Sequence, residues 1–559
     1  MNLLLKFTVL ISALCLTIQI SFAQDLAQIK LKPTVRFYGS IGLGAQFNNY
    51  QNKSLFNTNP FSAYLTGNPT LEILGVTLPF SFTVADRKVN YYTPFNQYGV
   101  SPYYKWIKVH LGYRNLQFSE YSLNGITFYG FGVEMNPGII RIAYMNGRFR
   151  NAIELDTTNP GVSSIVSFKR TAQAYKIGIG TNANHIDFVY LHSADDLSSI
   201  NYQANLLPEE NVVIGLQTEF RLGKKITLKL DAAGSVLTRN LYEETIYSND
   251  ETFNKHLADI EKLIHFNAST LIRKAGTASL NYNFNIGNVN IKYKRVDPGY
   301  ASHGAFYTQN DLEDLTLNPS IRLAKNKVFV HFSLGGRRNN LFNTKQTTNI
   351  RTIAALNLSI IPNESWNINL GYSNYGTQQQ TSNIPINDSV LVSLVNQSYD
   401  LQVTKNINNI ETNIQYYVNL SNESLLDRNE FTKSFTESQT YIINSGMQKS
   451  FTKRKFAYNF SIQFVQSKSY SGTLIRFGPT LGGNINFLSG KASLNVSTSY
   501  QYNKDSFSDK SYYINLNAGI NYKVAKKHNL SLYINHNTAA INNLLNNQQK
   551  IALRYVFSF

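Results

Sequence analysis

Apolar and polar residues alternate one by one over long stretches of this chain. A period of two predicts β-strands with one apolar and one polar face. Many of these stretches run to about 10 residues, the length that a tilted strand needs to cross a bilayer, whereas globular strands usually have about 5 or 6 residues. The alternation is plainest in residues 212–222, 280–286, 366–373, 456–464, 512–522 and 551–559.

The polar face of these stretches is mainly Asn, Ser, Gln and Gly, which suit a water-filled lumen. Turns of a few residues join many of the predicted strands, and longer polar stretches separate the others, as in outer-membrane barrels. We therefore predict an all-β membrane protein, a transmembrane antiparallel β-barrel. About 25 candidate strands can be counted, and an even number is expected, so we predict about 24 or 26. The count fails between Leu74 and Leu123, where the alternation is interrupted.

Composition excludes two other classes of protein. Charged residues make only 15% of the 559 residues and aromatics 13%, whereas a soluble domain usually carries about 25% charge. Disordered chains are rich in charge and poor in aromatics, so disorder is excluded. Cys15 is the one cysteine, which excludes a disulfide-stabilised scaffold.

The N-terminus has the pattern of a secretory signal. Lys6 is followed by a mostly apolar stretch, 7–20, and then by Ser21-Phe22-Ala23, with small residues where signal peptidase cleaves. A transmembrane anchor is disfavoured because the apolar stretch is shorter than the ~20 residues of a spanning helix. We predict a signal peptide at 1–23, a short periplasmic segment at 24–34 and the barrel at 35–559, in the outer membrane of a Gram-negative bacterium.

One stretch has a helical rather than a strand pattern. Phe253, Leu257, Ile260 and Ile264 fall on one face of a helix. We predict a short helix at 250–266, within an external loop at 239–274. It would dock a partner, enter the lumen or only cover the apolar side chains of its own loop.

The net charge of +18 does not require a nucleic-acid partner. Basic side chains at membrane-facing turns can meet anionic lipid head groups, including lipopolysaccharide, or can simply snorkel to water. The basic residues at predicted short turns are Lys224, Lys225, Lys325, Lys327, Lys453, Arg454, Lys455, Lys526 and Lys527.

The end of the chain resembles the closing strand of outer-membrane β-barrel proteins. In those proteins an alternating aromatic strand ending in Phe is recognised by the barrel-assembly machinery, which implies that Tyr555, Phe557 and Phe559 form the assembly signal. The chain also resembles the large Asn- and Tyr-rich barrels common in Bacteroidetes outer membranes. Two internal stretches, 94–101 and 293–300 running on to 310–313, resemble loop patterns of such proteins and imply no activity.

Enzymatic and metal-binding functions are not indicated. No His residue lies in a spacing typical of a triad or a metal site, so we predict neither an enzyme nor a cofactor. Asp311, Glu313 and Asp314 could bind a divalent cation, but they lack the spacing of a calcium loop, and a solvated acidic loop is the simpler interpretation. The nine His residues are His110, His185, His192, His256, His265, His303, His331, His528 and His536.

Two functional hypotheses remain open. TonB-dependent transporters carry a globular plug before their first strand, and here the strand pattern begins near Val35, so we expect a different class. The first hypothesis is a channel or translocation component with a polar lumen. The second is a scaffold barrel that anchors or helps to export a surface protein or lipoprotein. In a channel, five inward charges would favour anions or would only hydrate the wall: Lys176, Lys229, Lys292, Lys294 and Arg337.

Overall fold

The computed structural model describes residues 35–51, 60–86, 94–155, 166–201, 206–246, 261–305, 309–382, 387, 390–506, 511–541 and 544–559. These residues form one antiparallel sheet in which each strand pairs with its neighbours in the chain. The last strand pairs with the first, from Ser40↔Ser558 to Tyr50↔Gln548, which closes the sheet into a barrel. The predicted signal peptide, the 24–34 segment and most of the predicted 250–266 helix lie outside the described residues.

The barrel has 26 strands, which confirms the upper of the two predicted numbers. Three strands are interrupted and consist of two pieces each. These are β1 (Arg36–Tyr38 and Ser40–Tyr50), β2 (Phe61–Gly67 and Thr70–Ile73) and β4 (Gln97–Val100 and Tyr103–Tyr104). The other strands of the first half are β3 (Val76–Ala85), β5 (Ile107–Asn115), β6 (Thr127–Met135), β7 (Ile140–Arg150), β8 (Lys169–Gly180), β9 (His185–Asp196), β10 (Glu210–Leu222), β11 (Ile226–Thr238), β12 (Thr270–Phe284), β13 (Gly287–Val296), β14 (Leu312–Leu323) and β15 (Val328–Arg338).

The strands of the second half are longer. Strands β5 and β6 have nine residues each, while β16 has 17, so the later strands extend beyond the length that a bilayer requires. They are β16 (Thr347–Asn363), β17 (Trp366–Thr381), β18 (Ser393–Asn408), β19 (Thr412–Asp427), β20 (Ser438–Phe451), β21 (Phe456–Ser469), β22 (Gly472–Phe487), β23 (Ala492–Lys504), β24 (Ser511–Ala525), β25 (His528–Ile541) and β26 (Leu544–Ser558).

Within the described ranges, helical structure is limited to short turns. Helix α1 spans Lys433–Thr436, and two 3-10 turns lie at Leu197–Ser199 and Leu488–Gly490. No helix of the described ranges is long and apolar enough to cross a membrane.

The connections differ between the two ends of the barrel. At one end, the short-turn end, hairpins such as 223–225 and 526–527 join the strands, and Phe559 lies there too. At the other, the long-loop end, connections such as 297–311 and 239–269 are much longer. The predicted loop 239–274 was too long at its C-terminal side. Thr270 to Lys274 belong to β12, because they continue the alternation and pair with β11 from Thr238 to Gly234.

The region where the strand count failed contains backbone breaks. Pro69 and Pro102 lack the amide hydrogen that a ladder needs, and they coincide with the breaks in β2 and β4. The break in β1 is at Gly39, which has a φ of 138°. A Cβ there would lie 2.5 Å from the carbonyl oxygen of Asn68, so the two backbones approach closely.

The outer wall is apolar, although the chain as a whole is not. Large apolar side chains on alternate positions are exposed on the outside of the barrel, for example Ile177 (60%), Phe188 (63%) and Ile272 (60%). Aromatic rings mark its rim at the short-turn end, where Lys405 lies 5.1 Å from the ring centre of Trp366. A closed barrel with an apolar outer wall is the architecture of outer-membrane proteins, because lipid cannot hydrogen-bond to an open sheet edge.

Candidate functional site: the lumen

A segment between β5 and β6 folds into the lumen rather than out of it. We call residues 116–126 the inward loop. Its side chains Leu116, Phe118, Tyr121 and Leu123 are between 0 and 3% exposed. Each fully buried apolar side chain contributes about 1.5–3 kcal/mol, so burial alone favours this position strongly. In the sequence, this stretch is visible only as an interruption of the strand pattern.

The inner wall that contacts the inward loop has space for the side chains of the loop. Small inward residues on the strands leave space for the large side chains of the loop. The rings of Phe118 and Tyr121 belong to one buried cluster with these wall residues, which include Ala143, Ala172, Ala174, Ala233 and Ala275.

A second segment holds the inward loop in place. We call residues 297–305 the clamp loop. It begins with Asp297-Pro298-Gly299-Tyr300, where the Tyr300 amide donates to the Asp297 carbonyl at 3.1 Å and Gly299 has a φ of 76°. Pro at the second and Gly at the third position are typical of a type II turn. This turn brings the Tyr300 ring into the lumen, where the residue is 1% exposed.

Hydrogen bonds connect the two loops directly. The Tyr300 hydroxyl donates to the Tyr121 carbonyl at 2.6 Å, and the Ser302 hydroxyl donates to the Ser122 carbonyl at 2.6 Å. The Asn124 amide donates to the Gly304 carbonyl at 2.8 Å. The loops therefore form one unit inside the barrel, even though they are far apart in the chain.

Polar contacts attach the inward loop to the wall. The Lys294 ammonium lies 2.7 Å from the Glu120 carboxylate, and the Glu120 amide donates to Asp231 Oδ2 at 2.8 Å. The Tyr121 hydroxyl is hydrogen-bonded to Thr277. Burial raises the pKa of the Tyr121 phenol, so it is neutral at physiological pH.

The clamp loop is anchored through His303. Ser193 Oγ is 2.8 Å from His303 Nδ1, and His303 Nε2 is 3.3 Å from Glu209 Oε2. The Arg170 guanidinium bonds to Glu209 at 2.8 Å and to Asp195 at 2.7 Å. These residues lie near the long-loop ends of β8 and β9. The positive charge of Arg170 is compensated by the carboxylates of Asp195 and Glu209.

The pKa values of this anchor follow from its burial. Burial and the Arg170 charge lower the pKa of His303 to about 4, so the imidazole is neutral. Burial alone would raise the pKa of Glu209, but the His303 contact and the Arg170 charge outweigh it and lower that pKa to about 2. Glu209 is therefore ionised and His303 neutral at pH 7.

The structure brings together two sets of Ser, His and Glu side chains whose members are too far apart in the sequence to be recognised from their spacing. Besides Ser193, His303 and Glu209, the Ser101 hydroxyl is 3.2 Å from His110 Nδ1, and His110 Nε2 is 2.9 Å from Glu134. Both serines are buried, at 1% and 9% exposure, so a substrate has no access to their hydroxyls. We assign both contacts to structure. No cluster of metal-ligating residues occurs within the described ranges.

The three acidic residues of the 311–314 stretch do not share a site. Asp311 pairs with Lys345, Asp314 pairs with Arg337 on the inner face, and Glu313 pairs with Arg338 on the outer face. Because β14 alternates, neighbouring side chains point to opposite sides of the wall. The three carboxylates therefore do not converge on one position, and Glu313 and Asp314 belong to β14 rather than to a solvated loop.

The five predicted lumen charges lie on inward positions of their strands, but most are compensated. Lys294 meets Glu120 at 2.7 Å and Lys229 meets Glu219 at 3.0 Å. Arg337 meets Asp314 at 2.6 Å, and the Lys176 ammonium lies 5.4 Å from the ring centre of Phe118. Lys292 makes no ion pair with the residues that the structure describes. A strong preference for anions is therefore not favoured by this wall.

The opposite part of the inner wall is accessible and carries few charges. Its inward side chains form cross-strand rows of amides and hydroxyls that run from β22 through β26 to β1, and we call this surface the amide belt. One row runs Thr480, Ser499, Asn515, Asn537, Gln548, Tyr50, and the next runs Gly482, Ser497, Asn517, Asn535, Lys550, Asn48.

The amides of the belt hydrogen-bond to one another. Asn515 donates to Asn537, and Asn517 donates to Asn515. Asn517 also accepts from Asn535 at 2.7 Å and from the Tyr533 hydroxyl at 2.8 Å. Two recesses of about 650 and 430 Å³ open along this wall. The lumen thus has a filled side rich in ion pairs and an open side of mainly amides and hydroxyls, in which Lys550 is the charged member of the two rows.

Comparisons with known proteins give similarity of fold only. No protein-family model and no curated protein matches the chain. The translocation pore of the P pilus usher PapC is 10% identical, with a TM-score of 0.35, covering 94% of this chain and 99% of that one. An E. coli P pilus tip assembly intermediate, PapC-PapD-PapK-PapG, has 11% identity and a TM-score of 0.43, covering 93% of this chain and 60% of that one. Pseudomonas aeruginosa OccK1 (OpdK) has 10% identity and a TM-score of 0.30, covering 63% and 93%.

Proposed function

We propose that this chain is an outer-membrane channel whose lumen is narrowed on one side by the inward and clamp loops. The observation that carries the proposal is the asymmetry of the inner wall. Ala174, Leu191 and Val213 are 0% exposed beneath the loops, while Tyr513 and Tyr533 on the opposite side are 39% and 42% exposed. An accessible polar wall is what a hydrated path through a bilayer requires.

The proposal extends to the orientation and the surroundings of the barrel. The short-turn end would face the periplasm and the long-loop end the exterior, as in other outer-membrane barrels. Lipid and lipopolysaccharide would contact the apolar outer wall, and the barrel-assembly machinery would insert the chain. We also propose that the barrel is of the large Asn- and Tyr-rich type common in Bacteroidetes outer membranes.

Single-channel recording in planar bilayers tests the channel. We expect the purified chain to conduct ions in discrete steps. Gly304→Ala should raise the conductance or cause flickering between levels, because a Cβ at Gly304 would lie 2.4 Å from the Ser122 carbonyl oxygen and 2.7 Å from Leu191 Cδ1, forcing the loops apart. Gly234→Ala is the matched control, since nothing lies within 4 Å of a Cβ there.

A second variant keeps the test decisive if Gly304→Ala fails to fold. Replacing residues 117–124 by a short Gly-Ser link removes the inward loop and leaves the strands β5 and β6 unchanged. A larger conductance than that of the intact chain is expected. Electrical silence of both the intact chain and this variant would contradict the channel.

The scaffold is the second candidate, and one observation favours it. At the long-loop end, Phe431 (65%), Phe435 (59%) and Tyr470 (66%) are exposed, and the rings of Phe435 and Tyr470 are 4.8 Å apart. Exposed aromatic groups of this kind are typical of protein contacts. Purification from the native membrane in mild detergent should then yield a partner that Phe435→Ser removes, together with an electrically silent barrel.

A further inference from the structure

The open side of the lumen differs chemically from the filled side. Of the twelve positions in the two central rows of the amide belt, only Lys550 carries a charge. The rest are mainly amides and hydroxyls. Carboxylates that could repel an anion or attract a cation are absent from these two rows, so the chemistry of the wall is that of neutral donors and acceptors.

Amides suit a particular kind of solute. Each Asn or Gln side chain has two N–H donors and an oxygen with two acceptor positions. The bonds within the belt use only part of this capacity: Asn515, for example, donates once to Asn537 and accepts once from Asn517. The remaining positions can both donate to and accept from a hydroxyl group, which itself does both.

Aromatic rings stand beside these amides. Tyr533 lies on β25, which pairs with β24, and its hydroxyl donates to Asn517 Oδ1 at 2.8 Å. Tyr513 lines the larger recess together with Asn515 and Arg476. Their exposure of 42% and 39% leaves ring faces free for contact. Rings present an apolar face and a polar tip, as sugars present apolar C–H faces and a hydroxyl rim.

We propose that the amide belt is a binding surface for neutral oligosaccharides. Neighbouring strands lie about 4.8 Å apart, so each cross-strand row presents polar side chains at a regular spacing to the repeated hydroxyls of one sugar chain. The inference rests on the proposed channel in that a bound sugar would lie in the conducting path. Phosphorylated or acidic solutes fit less well, because the belt offers few cations and the charged side of the lumen is already compensated.

Block of ionic current by sugars tests the substrate class. Maltohexaose added to the intact chain in a planar bilayer should interrupt the current in a concentration-dependent way. Trigalacturonate and a polyethylene glycol of similar size serve as the anionic and the merely steric probe, and both should be weaker blockers. Equal block by the polyethylene glycol, or stronger block by trigalacturonate, would overturn the proposal.

Variants locate the surface. Asn517→Leu and Tyr533→Ala should each weaken maltohexaose block by about tenfold, the loss expected for about 1.4 kcal/mol of binding free energy, with block expressed relative to the open-channel current of the same variant. Asn281→Leu is the matched control, because Asn281 is an inward amide of β12 that bonds to Asn283 at 3.0 Å on the other side of the lumen. Equal effects of all three substitutions would contradict a site on the belt.

A binding measurement separates the two proposals. Saturation-transfer NMR of the detergent-solubilised chain with maltohexaose needs no current. Ion flow without any sugar block or transfer would leave the channel standing and remove the sugar site. Transfer that Asn517→Leu abolishes, in a barrel that carries no current, would keep the sugar site and remove the channel.

Discussion

At the scale of single residues, buried polar groups fix the loops inside the lumen. At His303, Nδ1 is hydrogen-bonded to Ser193, whereas Nε2 approaches Glu209 at 3.3 Å without a well-formed hydrogen bond, and such a buried imidazole is costly to charge. Ser193, Glu209 and Arg170 surround it, and Asn211 Oδ1 accepts from its backbone amide at 3.1 Å. The position of the clamp loop therefore depends on the protonation state of one side chain.

This dependence predicts acid sensitivity. The folded pKa of His303 is about 4, below the ordinary value of about 6.5, so the unfolded chain binds more protons between these values. Stability is then complete above about pH 6.5 and falls as the pH decreases towards 4. The pKa of Glu209, about 2, is also depressed from about 4.3, so its contribution is lost between those values. The unfolding midpoint in detergent, measured from pH 7 to pH 4, should decrease.

Substitution of the histidine provides the control for this effect. His303→Gln should flatten the decrease between pH 6.5 and 4, since no imidazole remains to be protonated. His331→Gln, which changes an exposed residue of β15 bonded to Ser320, should leave the decrease as it is. The same pH profile in all three proteins would show that the anchor does not set the acid sensitivity.

At the scale of strands, the two faces of one element experience different solvents. In β24, Leu516 points outward and is 42% exposed to what would be lipid, while its neighbour Asn517 points into the amide belt. Leu516→Arg should therefore destabilise the barrel by about 2–4 kcal/mol near the bilayer midplane. Asn517→Arg should have a much smaller effect, because its charge can reach water.

Unfolding titrations with urea in phospholipid vesicles measure both substitutions. The comparison is internal, since the two residues are adjacent and belong to the same strand. A similar loss of stability for both would mean that the inner and outer faces have been exchanged.

The strands could be predicted from the sequence and the inward loop could not, for a physical reason. Alternation is a local property, and it is strong in β24 because both faces are uniform over the whole strand. The burial of Phe118 and Tyr121 depends instead on Ala174, Ala275 and Tyr300, which are distant in the chain. Short-range patterns contain no information on such contacts. The inward position of the basic residues followed from alternation, whereas their carboxylate partners did not.

At the scale of the whole molecule, closure of the barrel depends on the last strand. Strand β26 pairs with β25 on one side and with β1 on the other, so its loss would leave two unpaired edges in the membrane. Lipid offers no hydrogen bonds to such edges. The ring of Phe559 is also stacked on that of Phe37, with centres 4.3 Å apart, where the two ends of the chain meet.

The terminal phenylalanine can therefore be tested for two roles, packing and recognition during assembly. Loss of the stacked pair alone should destabilise the barrel by about 0.5–1.5 kcal/mol, which an assembled barrel would tolerate. If the terminus is also the assembly signal, Phe559→Ala should lower the amount of barrel in the outer membrane far more than that and lead to degradation in the periplasm. Phe487→Ala, at an exposed aromatic of β22 at the same end of the barrel, is the matched control and should assemble normally. Quantitative immunoblots of membrane fractions measure the amounts, and wild-type levels of Phe559→Ala would leave the terminal aromatic with a packing role alone.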